Sequence, residues 1–280
     1  MHYEEEVRIL VTNDDGIDSI GLHELARAMT HHGHVVIAAP DGDQSGAGAA
    51  ISAIYRNTPE VHRRQVDGIP ESWAVSGPPG LCAFMARLGA FGEPFDLVVS
   101  GINPGANVGR SVYHSGTIGA CLTARNGGIS GIAVSQAVSG WGVEGQAWDD
   151  IVAHQVWPTA ATVADEFVGG LLAGGLPSEP VVVNINVPNC AISDIKGWRA
   201  TSVDYRTIRS MSSATLKPVE GHTDTFSVTF SYGDPLALPE ESDGGAVEAG
   251  YVSVGYLSRI TAVDRTDMGS AEAALNSLLG

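Results

Sequence analysis

The sequence predicts an α/β protein: a Rossmann-like, three-layer α/β/α body with a mostly parallel sheet and a β-rich C-terminal extension. Two patterns carry that expectation. Short, continuously apolar strands alternate with helical patterns over the first two thirds of the chain, as in a sheet covered on both faces. Beyond about Pro188 the pattern changes to period-two alternation, which predicts hairpins with one wet face. The division expected is a body over 1–188 and an extension over 189–280 that is not an independent domain.

Val7–Thr12 reads as the first strand, and Leu22–His31 as a helix with Leu22, Leu25, Ala26 and Met29 on one face. Val35–Ala39 is a second strand, ended by Pro40-Asp41-Gly42. Residues 46–66 suggest a hairpin, and Trp73–Val75 a short strand. Gly80–Leu88 follows Pro78-Pro79 as a helix. Leu97–Ser100 and Ile132–Ser135 are strands flanking a helix over Thr117–Arg125. Ile151–Leu172 is a long helical stretch with a kink expected at Pro158, and Val181–Val187 is again a strand. Thr225–Tyr232 (TFSVTFSY) and Tyr251–Leu257 (YVSVGYL) alternate, and the Gly-, Pro- and acid-rich 233–250 between them reads as loop.

Composition narrows the partners. Fifteen Lys and Arg against 32 Asp and Glu give a formal net charge of −17, the wrong sign for gripping a long polyanion. Three scattered cysteines, Cys82, Cys121 and Cys190, offer neither CxxC spacing nor a disulfide framework. The start, MHYEEEVRIL, lacks the basic and apolar regions of a signal peptide, and no apolar run reaches the ~20 residues of a membrane span. The expectation is a reduced, cytoplasmic protein without membrane contact.

Ligands of doubly wound sheets gather at the carboxyl ends of strands. Four polar clusters fall there: Asn13-Asp14-Asp15-Gly16, Asp41-Gly42-Asp43-Gln44-Ser45-Gly46, the run from Ser100 to Asn107, and His114-Ser115-Gly116-Thr117. Read singly, each has an ordinary explanation. Asp14 or Asp15 could cap a helix, and Ser45 and Asn103 suit turns. Together they offer carboxylates, a hydroxyl and carboxamides to one crevice, a hard-oxygen set suited to Mg²⁺ or Mn²⁺. The helix start at Ser115–Thr117 offers N–H groups to an anion. A divalent metal beside an anion site is an arrangement for phosphoryl transfer. Three better-known phosphate-binding patterns do not fit. There is no Asp-x-Asp after the first strand, no GxxxxGK[ST], and Asn-Asp-Asp-Gly stands where a dinucleotide fold would carry GxGxxG after that strand.

ILVTNDDGI, PDGDQSGAG, DLVVSGINPGANVG and HSGTIGA, in this order and spacing, resemble the SurE family of stationary-phase survival proteins. The likeness continues through VVVNINVP at 181–188 and SDGGAVEAGYVSV at 242–254. The resemblance implies a metal-dependent 5′/3′-nucleotidase, a phosphomonoesterase acting on a small phosphate ester. It implies one divalent ion per subunit held by Asp14, Asp15, Ser45 and Asn103, with Asn107, Ser115, Gly116 and Thr117 around the phosphate. The mechanism expected from these residues uses no covalent intermediate: a metal would polarise a phosphoryl oxygen and acidify a bound water, and Asp14 or Asp15 would orient that water or take its proton. The resemblance also implies a homo-oligomer, dimer or tetramer, built through the C-terminal β segment. Two alternatives stay open: the same chemistry on another small phosphate ester, and a non-catalytic metal–phosphate binding module. The chain departs from the family pattern in Gly77-Pro78-Pro79-Gly80-Leu81-Cys82 (for Thr-Pro-x-Asp-Cys), Thr123-Ala124 (for Glu-Gly) and Gly255-Tyr256 (for Thr-Pro).

Overall fold

A computed structural model describes residues 6–52, 54, 58–138, 152–206, 208 and 211–279. Its main feature is a nine-stranded sheet. The strands are β1 (Arg8–Thr12), β2 (His34–Pro40), β3 (Val61–Arg63), β4 (Glu71–Val75), β5 (Leu97–Pro104), β6 (Ser130–Gln136), β7 (Val182–Val187), β8 (Trp198–Ala200) and β11 (Val252–Leu257), in the spatial order β3-β4-β2-β1-β5-β6-β7-β11-β8. From β4 across to β7 every pairing is parallel. The edge strand β3 runs antiparallel to β4, and β11 runs antiparallel to β7. The α/β class and mostly parallel sheet expected from the sequence are therefore present.

Strand alternation builds a core on each face. Ile9 and Val11 of β1 pack with Leu22, Leu25, Ala26 and Met29 of α1 (Ile20–Met29) and with Ala160, Ala164 and Val168 of α4 (Trp157–Gly174). Leu10 points the other way, toward α2 (Pro79–Arg87) and Ala120 and Ala124 of α3 (Gly116–Asn126). Since burial of such side chains contributes ~1.5–3 kcal/mol each, the period-two pattern fixes the register of the strand against both helix layers.

Four expectations need correction. Pro158 does not kink a helix; it lies in the first turn of α4, which starts at Trp157. The first-turn N–H has no partner inside the helix, so proline is favoured there. Residue 151, where the helical stretch was expected to begin, lies outside the described residues. The hairpin expected within 46–66 is reduced to β3, with turns before it; residues 53 and 55–57 lie outside the description. YVSVGYL forms no hairpin but joins the main sheet as β11. The loop expected over 233–250 contains α5 (Asp243–Glu248), capped by the Ser242 hydroxyl, which accepts from Gly245 N.

TFSVTFSY does form a hairpin: β10 (Phe226–Tyr232) pairs antiparallel with β9 (Met211–Pro218) in a two-stranded sheet of their own. The chain ends in α6 (Gly269–Leu279), exposed along its described length. Among the described residues no helix is long and apolar enough to cross a membrane.

Candidate active site

The strand order reverses at β1, whose neighbours are β2 and β5. A crevice opens at such a switch point, outside the carboxyl ends of the strands. Asn13-Asp14-Asp15 leaves β1 there, and Asn103 lies near the end of β5. Loop-to-loop hydrogen bonds close the other clusters around it. Gln44 N donates to the Asp14 carbonyl at 2.7 Å, and Gly48 N to the His114 carbonyl at 3.0 Å.

A cavity of about 530 Å³ results. Asp14, Asp15, Ser45, Asn103, Asn107 and Ser115 all line it, so six of the eight residues expected from the sequence share one chamber. Gly116 and Thr117 stand behind it. Gly116 N donates to Asp14 Oδ2 at 3.0 Å, and the Thr117 hydroxyl to Asp14 Oδ1 at 2.5 Å. The start of α3 thus faces a carboxylate of the chain itself. The positive end of a helix favours a negative group in that position. The next free amide, Ile118 N, is taken by the Ser115 hydroxyl.

The two carboxylates differ in what they have left to give. Both oxygens of Asp14 accept hydrogen bonds, yet burial holds its proton affinity above the ordinary carboxylate range. Asp15 is pushed up to about 8, first by burial and then by repulsion from Asp14 and Asp43. Its Oδ2 is buried and has no hydrogen-bond partner. A buried charged oxygen without a donor is costly, and a cation is the group that would relieve it. The other members of the set suit that role. Asn103 spends its amide nitrogen on the Gly105 carbonyl at 2.6 Å, which leaves its side-chain oxygen for a cation. Ser45 is held by Asp43, donating its hydroxyl at 2.6 Å and its amide at 2.8 Å. Among the described residues that line the cavity there is no Lys or Arg. Arg110, three residues after the Ser100–Asn107 run, is exposed and donates to the Tyr205 carbonyl instead.

Asn107 is anchored from β6 and β7. Its amide N donates to Asn186 Oδ1 at 2.7 Å, its carbonyl accepts from Asn184 Nδ2 at 2.9 Å, and its own Nδ2 donates to the Ser135 hydroxyl at 2.9 Å. The asparagines of VVVNINVP explain themselves this way: they are buried on β7 and hold a loop of the site.

Several contributors were not singled out from the sequence. Ile208, Pro235, Val247 and Glu248 from the last third line the cavity. Asp243, almost fully buried at the start of α5, accepts from Gly109 N and Gly244 N, each at 2.8 Å, and so ties that third to the loop after β5. The acid in SDGGAVEAG was the available signal. The departures from the family pattern lie mostly away from the chamber. Leu81 and Ala124 are buried in the core, the Thr123 hydroxyl turns back to the Gly119 carbonyl, and Tyr256 is exposed on β11. Cys82, Cys121 and Cys190 are free thiols.

Comparison with known proteins shows the family. A family model described as "Survival protein SurE" matches residues 9–210. The chain is 34% identical to the 5′-nucleotidase SurE of Xanthomonas axonopodis pv. citri (strain 306) over 255 residues, 90% of this chain and 88% of that one. It is 35% identical to the 5′-nucleotidase SurE of Acinetobacter baylyi over 260 residues, covering 89% and 92%. The crystal structure of the SurE protein from Aquifex aeolicus superposes with a TM-score of 0.71 at 26% identity, over 98% of this chain and all of that one. The chain belongs to the SurE family.

Proposed function

We propose that this protein is a divalent-metal-dependent phosphomonoesterase that hydrolyses nucleoside 5′- or 3′-monophosphates to nucleoside and phosphate. The observation that carries the reading is the unpartnered Asp15 Oδ2, buried in the same chamber as Asp14, Asn103 and Ser45. The names of the relatives, 5′-nucleotidases, point to the substrate class. Asp14, Asp15, Ser45 and Asn103 would hold one Mg²⁺ or Mn²⁺. When bound, that ion would polarise a phosphoryl oxygen and acidify a water.

The chain's own groups divide the remaining work. Asp14, fixed by Gly116 and Thr117, is the positioned carboxylate, and one of Asp14 or Asp15 orients the attacking water or takes its proton. Asn107 and Ser115, which line the same chamber, would contact the phosphate. Gly116 and Thr117 serve the phosphate indirectly, by keeping Asp14 in place. The cavity is large enough for a mononucleotide, and its apolar lining from Val108, Val138, Ile208 and Val247 suits a base or sugar face.

We also propose a homo-oligomer joined through the region after Pro188. In the β9–β10 hairpin, Val228 stands opposite Leu216, Phe230 opposite Ala214 and Phe226 opposite Pro218, so one face is an apolar ladder; the alternate pairs are Ser227–Lys217, Thr229–Thr215 and Ser231–Ser213. Phe226, Val228 and Phe230 are each about half exposed within one subunit. A lone two-stranded hairpin is marginal in water, and a second subunit would cover this face.

A phosphate-release screen over nucleoside monophosphates, sugar phosphates and other esters, with and without Mg²⁺ or Mn²⁺, tests the function. Metal-dependent turnover that favours nucleoside monophosphates is the expected result. Equal turnover after rigorous chelation, or none on any nucleotide, would overturn it.

A further inference from the structure

We infer that His31, His32 and Asp165 form a second metal site, selective for a transition metal such as Zn²⁺ and separate from the oxygen-lined chamber. His31 and His32 occupy the turn between α1 and β2, and Asp165 lies on α4. His31 Nε2 is 2.7 Å and His32 Nε2 2.6 Å from the same oxygen, Asp165 Oδ1. The three ligand atoms all lie within 4.8 Å of one another.

The surroundings build this convergence. His32 N donates to the Met29 carbonyl at 3.0 Å, holding the turn against the end of α1. Its ring is mostly buried and lies over Gly169, one helical turn after Asp165; a Cβ at Gly169 would come within 3.1 Å of His32 Cε1. The absence of that side chain gives the ring its seat. The His31 ring, tilted 45° to that of His32 with centroids 4.4 Å apart, is exposed and leaves a path for a water as fourth ligand.

Ligand chemistry sets the selectivity. Zn²⁺ takes His nitrogen at ~2.0–2.1 Å and carboxylate oxygen at ~2.0–2.2 Å, so tetrahedral ligand atoms sit ~3.3 Å apart. The observed nitrogen–oxygen pairs would open by well under ~1 Å to admit the ion, each imidazole binding it through a deprotonated Nε2 with its ring proton on Nδ1. Two imidazoles and one carboxylate favour Zn²⁺, Ni²⁺, Co²⁺ or Cu²⁺ over Mg²⁺, the reverse of the Asp14–Asp15–Ser45–Asn103 set. The two sites are at opposite poles. β2 carries seven residues from His34 to Pro40, which at ~3.3 Å per residue places the histidines ~20 Å from the catalytic end of the sheet. A metal there would clamp α4 to the α1–β2 corner.

The test uses the full chain after chelation and dialysis, titrated calorimetrically with Zn²⁺ and spectroscopically with Co²⁺ in excess Mg²⁺, so that the catalytic chamber is occupied. Wild type should bind one equivalent of Zn²⁺ that Mg²⁺ does not displace, and Co²⁺ should give the visible bands of a nitrogen-containing low-coordinate site. His32→Gln and Asp165→Asn should lose that equivalent while keeping Mg²⁺-dependent turnover. His31→Gln, a substitution at an exposed side chain that leaves the fold intact, should weaken it by at least ~10–100-fold. Zinc stoichiometry and affinity unchanged in all three variants, or the absence of a Mg²⁺-resistant equivalent in wild type, would overturn the inference.

Discussion

Thr117 and Asp14 are joined by a 2.5 Å hydrogen bond from hydroxyl to carboxylate, between a helix start and the loop after the first strand, 103 positions apart in sequence. The helix terminus that looks like a phosphate cradle in the sequence holds the Asp14 carboxylate instead. Under the proposed function, the charge that binds substrate would come chiefly from the ion and less from backbone amides.

A substitution at Gly116 tests that relationship. A Cβ there would meet Asp14 Cβ at 2.7 Å and Oδ2 at 2.8 Å, so Gly116→Val must push Asp14 aside. Metal affinity and turnover should both fall, turnover by at least ~10²-fold. Thr117→Val, which removes one donor to a buried carboxylate, should cost about 2 kcal/mol of stability in the metal-free protein, read from denaturant melts. Normal metal affinity in folded Gly116→Val would show that Asp14 does not bind the ion.

Asp15 should give the metal-free protein a distinctive pH dependence. Its native carboxyl titrates near 8, against 3.8 in the unfolded chain. Between those values the native state keeps a proton that the unfolded state has released, so stability falls as pH rises toward about 8 and then levels off. Asp15→Asn should flatten that slope in thermal melts with chelator present and should abolish turnover. Calorimetry in buffers of different ionisation enthalpy should show a proton released when Mg²⁺ or Mn²⁺ binds below pH 8. A slope unaltered in the variant would reject this assignment.

Asp243 should matter to catalysis without touching substrate. It accepts from Gly109 N and Gly244 N, and Asp243→Ala leaves both amides buried without an acceptor. Stability should drop by about 3 kcal/mol, and kcat/KM should fall at least about tenfold as the loop after β5 loosens. Light scattering should show the oligomer retained, since the apolar hairpin is untouched. Wild-type kinetics in a folded Asp243→Ala protein would contradict the role.

The oligomer prediction is read from mass. Size exclusion with light scattering at micromolar concentration should give a multiple of the 29.1 kDa chain. Val228→Glu with Phe230→Glu places two charges on the exposed apolar ladder and should shift the mass toward one chain. A wild-type mass of one chain would reject the assembly.

Local patterns were legible in the sequence where one segment carried the whole signal. β1 reads as a strand because five residues suffice, and Asp14 and Asp15 announce themselves because paired carboxylates after a buried strand are costly. What the text hid depended on partners. Pro158 breaks a helix or starts one according to whether a turn precedes it. Alternation in YVSVGYL says strand but not that β7 is the neighbour. The HSGT run says helix start but not that its amide and hydroxyl point at Asp14, because nothing local encodes what approaches from a distant loop.

The Asp243–Gly109 hydrogen bond also sets an order of events during synthesis. A ribosome adds ~5–20 residues per second, so the carboxylate that Gly109 requires emerges roughly ten seconds after Gly109 itself. Until then β1 to β7 can pair, and Asp14 can find Thr117, but the loop after β5 lacks its anchor. The nascent chain can therefore pair β1 to β7 before the anchor of its pocket loop has emerged, and β11 joins the sheet after it.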